Sequence, residues 1–337
     1  MSKYSKNEAR EWSRQEMRGV ANVIIPSYSA DLRSLNEPGI RHDVRREIEL
    51  GFSGALLVAE TAITLDEYSA FTDWAVDEAA GRLQLIVHAS FNTLEENIEV
   101  TRRAHAAGAE LALLSYPPTF YPQSVAEIHD YTKAFCDAVD IGVILFPVPL
   151  WGFERLHGAS LEPEMVVQLV DSCPNIVAVK AEGGMPSIGG FVHLHHLVGD
   201  RIIVTMPAEE QGIPLKTLVD LPWMGTSSME YYGDSVPTMF RLIEEGSVDK
   251  AWDLFWQMHP ARQAKHSVMS VAGSNFAHRY AWKYLGWLNG FNGGPLRMPT
   301  MRVVQGQLDI MRRGLQKAGL EVTQDSDAEF FVGRNPV

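Results

Sequence analysis

Eight short apolar runs, rich in β-branched residues, recur along this chain and alternate with helical patterns. The runs are continuous and do not alternate in polarity, which is typical of strands covered on both faces. Strands that alternate with helices predict a parallel sheet with right-handed crossovers, and eight such units favour an α/β fold of the (β/α)8 TIM barrel type. The runs lie at residues 20–25, 55–58, 85–88, 111–114, 143–146, 176–180, 202–205 and 223–226.

Capping residues support the helices between these runs. Thr64, Thr93 and Ser124 each precede a glutamate by three residues, which is the spacing of a capping box. Gly108 follows the helix that begins near Thr93 and predicts its end. Helices are therefore expected to begin shortly after the second, third and fourth runs.

An open, doubly wound sheet is the main alternative fold. It is less favoured because no Gly-x-Gly-x-x-Gly follows the first run and no phosphate-binding Gly-Lys-Ser/Thr loop occurs. The barrel interpretation divides the chain into an N-terminal polar extension (1–17), the barrel (18–235), C-terminal helices packed on the barrel (236–322) and a polar tail (323–337). The C-terminal helices are predicted near 236–247, 249–263, 274–288 and 299–319.

Charge and composition argue against several function classes. The 337 residues carry a formal net charge of −13, whereas binding to nucleic acid or to anionic membranes needs a basic surface. No run reaches the roughly 18 apolar residues of a membrane helix. Residues 1–18 lack the apolar core of a signal peptide, and Cys136 and Cys173 are too few for a disulfide framework, so we expect a cytoplasmic protein.

Lys180 is the last residue of the sixth run and is followed by Ala-Glu-Gly-Gly. Active sites of (β/α)8 barrels lie at the carboxyl ends of the strands, which makes Lys180 a candidate catalytic residue. Desolvation disfavours a charged amine, so a lysine at the edge of an apolar interior can attack a ketone and form a Schiff base. The structural alternative is a strand-end lysine whose ammonium group extends into water.

Two segments resemble the dihydrodipicolinate synthase and N-acetylneuraminate lyase superfamily of class I aldolases. Residues 176–180, before a Gly-rich turn, are similar to its sixth strand, and residues 143–149 (Val-Ile-Leu-Phe-Pro-Val-Pro) are similar to its fifth. The helix start at 65–67 and the loop at 116–121 are similar too, and the resemblance spans residues 18–320. It implies a (β/α)8 barrel with C-terminal helices, Lys180 as the Schiff-base lysine, no cofactor, and a homo-oligomer, either a dimer or a tetramer.

Three departures from the superfamily's motifs concern the same site. The strand-five tyrosine, which transfers protons in the superfamily, corresponds to Phe146, whose ring cannot donate or accept a proton. The Gly-Thr-Thr-Gly-Glu loop that holds the keto-acid carboxylate is replaced by Val-Ala-Glu-Thr-Ala at 58–62, and the arginine that recognises a dicarboxylate falls near Trp151. A typical dihydrodipicolinate synthase is therefore not expected.

Schiff-base chemistry also needs a positioned acid or base. We predict Lys180, Glu60 and Tyr116 as catalytic residues, because Glu60 follows the second run and Tyr116 begins the loop after the fourth. The structural alternative for Tyr116 is a ring packed at a contact, and Glu209 has the alternative of capping its helix. The residues predicted to contact substrate are Thr61, Tyr121, Phe146, Trp151, Glu182, Glu209, Thr226 and Ser227.

Histidines offer one further candidate and one exclusion. His88 ends the third run and is a candidate acid or base, with a buried, hydrogen-bonded histidine as the alternative. The histidines within 193–196 lack the usual metal-ligand spacing and an acidic partner. No metal site is therefore predicted.

The sequence thus predicts a cofactor-free lyase that condenses or cleaves a 2-keto acid, pyruvate, through an imine on Lys180. An aldehyde would be held against the aromatic residues Trp151 and Phe153. Hydratase-aldolases acting on aromatic pyruvylidene compounds, and sugar-acid dehydratases, are alternatives within the superfamily. A keto-acid binding protein without turnover is the alternative from another class, because the tyrosine, the carboxylate loop and the arginine are missing.

Overall fold

The structure, a computed structural model, describes residues 3–117, 119–181, 187–272, 279–297 and 303–337. Each of the eight predicted runs forms a strand. The strands are β1 (Gly19–Ile24), β2 (Gly54–Leu57), β3 (Gln84–Ala89), β4 (Leu111–Leu114), β5 (Gly142–Leu145), β6 (Ile176–Lys180), β7 (Ile203–Thr205) and β8 (Trp223–Met224).

The strands belong to one sheet with the order β7-β6-β5-β4-β3-β2-β1-β8. Pairing is parallel between β1 and β8 and between each neighbouring pair from β3 to β7. Successive strands are therefore neighbours, and the last strand adjoins the first. This is the arrangement of a (β/α)8 barrel, so the predicted fold class is confirmed.

A threonine hydroxyl links β7 to β8. Thr205 Oγ1 donates to the carbonyl oxygen of Trp223 at 2.9 Å and accepts from the Gly225 N–H at 3.4 Å. Gly225 leaves no room for a side chain, because a Cβ there would lie 2.8 Å from the Cβ of Ala21. The two shortest strands are thus held by a side chain in addition to their main chains.

Helices follow the strands and continue after β8. The predicted N-caps are confirmed, since the side chains of Thr64, Thr93 and Ser124 each accept the backbone N–H three residues later. Gly108 ends its helix with φ of 124°. The helices are α1 (Ala9–Glu16), α2 (Glu37–Glu49), α3 (Leu65–Ala79), α4 (Leu94–Ala107), α5 (Val125–Ala138), α6 (Pro163–Ser172), α7 (Ser187–Val198), α8 (Glu209–Lys216), α9 (Ser235–Glu244), α10 (Val248–Gln257), α11 (His259–Ala272), α12 (Arg279–Leu288), α13 (Gln305–Lys317) and α14 (Asp327–Phe330).

The C-terminal region differs from the prediction in two places. The span predicted as one helix at 249–263 is divided between α10 and α11, which are separated at Met258. The segment predicted as a polar tail contains α14, whose Phe330 is buried against Tyr284 and Trp287. The Phe330 side chain therefore helps to anchor this segment, together with the contact of Phe331 with Tyr280 and the ion pair of Asp327 with Arg312.

The N-terminal extension forms a helix that is bonded to the start of β6. Ala9 of α1 is buried. The Arg10 guanidinium donates to the carbonyl oxygens of Ile176 at 2.9 Å and Cys173 at 2.7 Å. Residues predicted only as a polar extension therefore hold the beginning of the strand that ends at Lys180.

The chain forms two compact units. Unit 1 comprises residues 1–21 and 84–227, and unit 2 comprises residues 22–83 and 228–337. Strands β3 to β8 lie in unit 1, whereas β2 and helices α9 to α14 lie in unit 2. The domain division expected from the sequence stays a prediction.

A buried polar network crosses unit 2. Asn22 Nδ2 donates to Glu47 Oε1 at 2.7 Å, and the Met229 N–H donates to Asn22 Oδ1 at 2.7 Å. Ser228 Oγ donates to Glu230 Oε1 at 3.0 Å. Burial raises the pKa of Glu230 to about 7, while burial and then the Glu230 carboxylate raise the pKa of Glu47 well above its usual value. Around neutral pH the protonated form of Glu230 is therefore substantially populated.

Replacing Glu230 with glutamine should change how stability depends on pH. The folded pKa of Glu230 lies above its unfolded value, so its contribution to stability is complete below the unfolded pKa and is lost as the pH rises to about 7. From about pH 5 to about pH 8, the unfolding free energy of the wild type should fall relative to Glu230→Gln by on the order of 3 kcal/mol. Urea denaturation measures this difference, with Glu321→Gln at an exposed site as the control. A difference that does not vary with pH would contradict the prediction.

Candidate active site

Lys180 lies at the end of β6, as predicted, and its side chain is buried, with 5% exposed. Its Nζ is 3.8 Å from the centroid of the Phe146 ring. The register explains this contact: Leu145 pairs with Val179, so the next residues of the two chains, Phe146 and Lys180, stand side by side. The ring presents its π face to the amine and has no group that transfers a proton.

On its other side, Lys180 pairs with Thr205 of β7. The Ala181 N–H donates to the Thr205 carbonyl oxygen at 2.8 Å, which extends the ladder just beyond the lysine. The Thr205 hydroxyl donates its proton to Trp223 of β8. The backbone next to Lys180 is therefore hydrogen-bonded to β7. The Thr205 hydroxyl donates its one proton within the protein and cannot also donate it to a substrate.

Trp151 is fixed beside Phe146. Its Nε1 donates to the Phe146 carbonyl oxygen at 2.9 Å, and the two rings meet edge to face with centroids 5.9 Å apart. The indole also contacts the Tyr116 ring, at 5.9 Å. Trp151 thus belongs to an aromatic cluster, whose other members are Phe120, Tyr131 and Phe153.

The Tyr116 side chain is directed to helix α5. Its hydroxyl donates to Thr132 Oγ1 at 2.6 Å, because the Thr132 proton is donated to the carbonyl oxygen of Ile128. Burial raises the pKa of Tyr116 above its ordinary value, so the phenol stays protonated. Tyr116 is thus bonded on the helix side of β4, and the catalytic role predicted for it stays a prediction.

The other predicted substrate contacts of unit 1 have different environments. Tyr121 is 72% exposed. Thr226 is buried, and its hydroxyl has no hydrogen-bond partner among the described residues, while Ser227 is half-buried. Glu209 is buried and is the first residue of α8. Glu182 lies outside the described residues.

In unit 2, Glu60 forms an ion pair with Arg279, the first residue of α12. Arg279 Nη2 lies 2.5 Å from Glu60 Oε2, and the two side chains are 4% and 12% exposed, respectively. The guanidinium also lies over the Trp282 ring, at 4.8 Å. Sequence reasoning did not identify Arg279, because 219 residues separate the two partners and nothing in the predicted helix 274–288 marks it.

Within unit 2, Thr61 is hydrogen-bonded to Tyr28. The Tyr28 hydroxyl contacts the Thr61 carbonyl oxygen at 2.9 Å and its Oγ1 at 3.0 Å. Burial raises the pKa of Tyr28 to about 12, so this phenol also keeps its proton. The predicted role of Thr61 in binding a carboxylate stays a prediction, and its hydroxyl already has one neighbour.

Within the part of the chain that the structure describes, no group of three or more His, Cys, Asp or Glu side chains could hold a metal ion. The histidines within 193–196 lie on α7. Over the same described ranges, no helix has both the length and the apolar character needed to cross a membrane.

Sequence comparison identifies the family. The model of the Dihydrodipicolinate synthetase family matches residues 17–300. The chain belongs to this family. A 4-hydroxy-tetrahydrodipicolinate synthase from Methanopyrus kandleri is 25% identical over 312 residues, which are 90% of this chain and 97% of that protein. The synthase from Methanocaldococcus jannaschii is 23% identical over 312 residues, which are 90% and 99% of the two proteins.

Solved structures of the dihydrodipicolinate synthetase family and its relatives share the fold. N-acetylneuraminate lyase from Fusobacterium nucleatum superposes with a TM-score of 0.72 at 19% identity, covering 89% of this chain and 98% of that one. A prophage protein of the dihydrodipicolinic acid synthase family from E. coli K12, in complex with pyruvate, gives 0.73 at 19% identity, covering 90% and 99%. At these identities the likeness supports the barrel and its C-terminal helices alone.

Replacing Glu60 with glutamine should destabilise the fold. The substitution leaves the buried Arg279 charge without its carboxylate, and breaking a buried pair from one side typically costs about 3–5 kcal/mol. The unfolding free energy from urea denaturation measures the loss. Glu99→Gln is the matched control, because Glu99 pairs with Arg103 at the surface, where an ion pair is worth less than about 1 kcal/mol. Equal losses in the two variants would contradict the prediction.

Proposed function

We propose that this protein is a lyase of the class I aldolase type that forms an imine between Lys180 and a 2-keto acid, pyruvate. The observation that carries the proposal is the buried amine at the end of β6, in a chain that belongs to the dihydrodipicolinate synthetase family. The E. coli relative, whose structure contains pyruvate, supports this choice of keto acid.

The chemistry follows from a neutral amine. Lys180 Nζ attacks C2 of the keto acid, and protonation with loss of water gives the imine in its protonated form. Loss of a proton from C3 then gives an enamine, whose C3 adds to the carbonyl carbon of an aldehyde, and hydrolysis releases the product and the amine. The reverse sequence cleaves the same bond. No step needs a cofactor, but each proton transfer needs an acid or base that Phe146 does not supply.

The surroundings of Lys180 favour a bulky, apolar aldehyde. Trp151 is bonded beside Phe146 and continues into an aromatic cluster, and its indole carries no charge that would recognise a second carboxylate. An aldehyde with an aromatic ring therefore fits better than the dicarboxylate-recognising chemistry of a typical dihydrodipicolinate synthase. Hydratase-aldolase and dehydratase reactions use the same imine and are variants of this proposal.

A keto-acid binding protein is the second candidate, and the phenyl ring of Phe146 next to the amine is the observation that favours it. Such a protein would bind the keto acid reversibly, form no imine and give no product. Either function is compatible with the expected homo-oligomer, a dimer or a tetramer, which light scattering would measure. The cytoplasmic location stays a prediction.

Borohydride trapping tests the imine directly. Incubation with pyruvate and borohydride should add the mass of one reduced pyruvate to the wild-type protein and nothing to Lys180→Arg. Peptide mapping should place the adduct on Lys180. Lys283, a second buried lysine, is the internal control and should stay unmodified. No adduct would remove the proposal in favour of the binding protein, and an adduct that Lys180→Arg retains would remove it by placing the imine on another lysine.

Substituting Trp151 with alanine tests the aldehyde class. The kcat/KM for an aryl aldehyde such as benzaldehyde should fall by roughly 10- to 100-fold, because the indole face is lost, whereas the value for acetaldehyde should change less. Trp256→Ala, at a residue that is 61% exposed, serves as the control and should resemble the wild type. Equal losses for both aldehydes would argue against an aromatic substrate.

A further inference from the structure

A histidine and a serine form a buried pair at the carboxyl ends of β3 and β4. His88 is near the end of β3, and Ser115 directly follows β4. His88 Nε2 and Ser115 Oγ are 2.9 Å apart. The two residues are 3% and 0% exposed, so the pair lies in the interior of unit 1.

Strand register places this pair on one face of the sheet. His88 pairs with Leu113 across β3 and β4, and paired residues of parallel strands project to the same side. Ser115 stands two residues after Leu113 and therefore projects to that side as well. The short contact between the histidine and serine side chains agrees with this placement.

The same face carries Lys180. Leu113 pairs with Ile144 of β5, and Ile144 pairs with Ala178 of β6. Moving two residues along each strand gives Ser115, Phe146 and Lys180, which form a row on three neighbouring strands. Because Nζ of Lys180 lies over the Phe146 ring, the amine leans from β6 towards β5, the side on which Ser115 stands.

The residue after Ser115 shows the opposite orientation. Tyr116 is bonded to Thr132 of α5, on the helix side of β4. Side chains of an extended chain alternate between the two faces, so Ser115 projects to the side away from α5. A hydroxyl therefore does reach the face that carries the lysine, but it comes from the serine and not from the tyrosine.

We propose that Ser115, with His88 as its proton partner, is the acid–base group for the imine on Lys180, in place of the superfamily's tyrosine. This inference rests on the proposed function. Among the row's neighbours, Phe146 cannot exchange a proton and Thr205 has donated its own to Trp223. A hydroxyl bonded to an imidazole can pass a proton in both directions, because the imidazole accepts when neutral and donates when protonated.

The proposed step is the formation of the enamine. A C3 hydrogen of the imine, which is protonated on its nitrogen, leaves as a proton to Ser115 Oγ, whose own proton passes to His88 Nε2. The C3–H electron pair becomes the C2–C3 double bond, and the carbon–nitrogen π pair moves to the nitrogen of Lys180. Reversal of this transfer protonates C3. Ser115 is therefore assigned the contact with the intermediate, and His88 acts through it.

Exchange of the pyruvate methyl protons in D2O isolates this step. Proton NMR should show rapid loss of the methyl signal with the wild type. His88→Asn and Ser115→Ala should each lower the exchange rate by about 100-fold, a typical contribution of acid–base catalysis. Both should still give the borohydride adduct on Lys180 to the same final yield. His105→Asn, at a half-buried histidine of α4, is the matched control and should exchange like the wild type.

The pH dependence adds a readout that a purely structural role would not change. The exchange rate of the wild type should fall as the pH is lowered through the range in which a histidine takes up a proton. The exchange rate of His88→Asn should not show this fall. Circular dichroism identifies a variant that does not fold, and the other variant then carries the test. If a folded His88→Asn or Ser115→Ala protein exchanges at a rate within about threefold of the wild type, the inference is wrong, although the imine on Lys180 is still supported. No adduct with the wild type would overturn the proposed function itself, and the inference with it.

Discussion

The contact between the Lys180 amine and the Phe146 ring depends on a change of register between β5 and β6. Val143 pairs with Ile176, but every later pair is shifted by one residue of β6. Without the shift, Phe146 would stand beside Val179, whose side chain projects to the opposite face from Lys180. One additional residue therefore determines what surrounds the amine, and irregularities of this kind commonly re-aim side chains near active sites.

Buried ionisable side chains have different neighbours in the two units. In unit 2, Glu60 is paired with Arg279, and the carboxyls of Glu47 and Glu230 are bonded to buried polar partners. Buried pairs of this kind contribute little net stability compared with apolar residues of the same volume, but losing one member is costly. In unit 1, the Lys180 amine lies over the Phe146 ring.

Much of the fold was predictable from local pattern. Continuous apolar runs identified the strands, and hydroxyl residues such as Thr64 identified helix starts, because both signals depend on neighbouring residues. The site was harder to predict. Whether Tyr116 or Ser115 faces the lysine depends on a register of one residue, and the pairing of Glu60 with Arg279 joins distant parts of the chain. Such relations arise only when the strands and helices are assembled, so no local pattern carries them.

Helix α1 bears on where a shortened version of this protein should begin. The family match begins at residue 17, so a version trimmed to the matched region would lack α1 entirely. It would also lack the Arg10 guanidinium that is bonded to the carbonyl oxygens of Cys173 and Ile176, where β6 begins. The carbonyl oxygens of Val170, Cys173 and Ile176 are buried near the start of β6. Without Arg10 they would need water molecules as hydrogen-bond donors. Helix α1 thus lies outside the family match, yet its Arg10 side chain is hydrogen-bonded where the strand that ends at Lys180 begins.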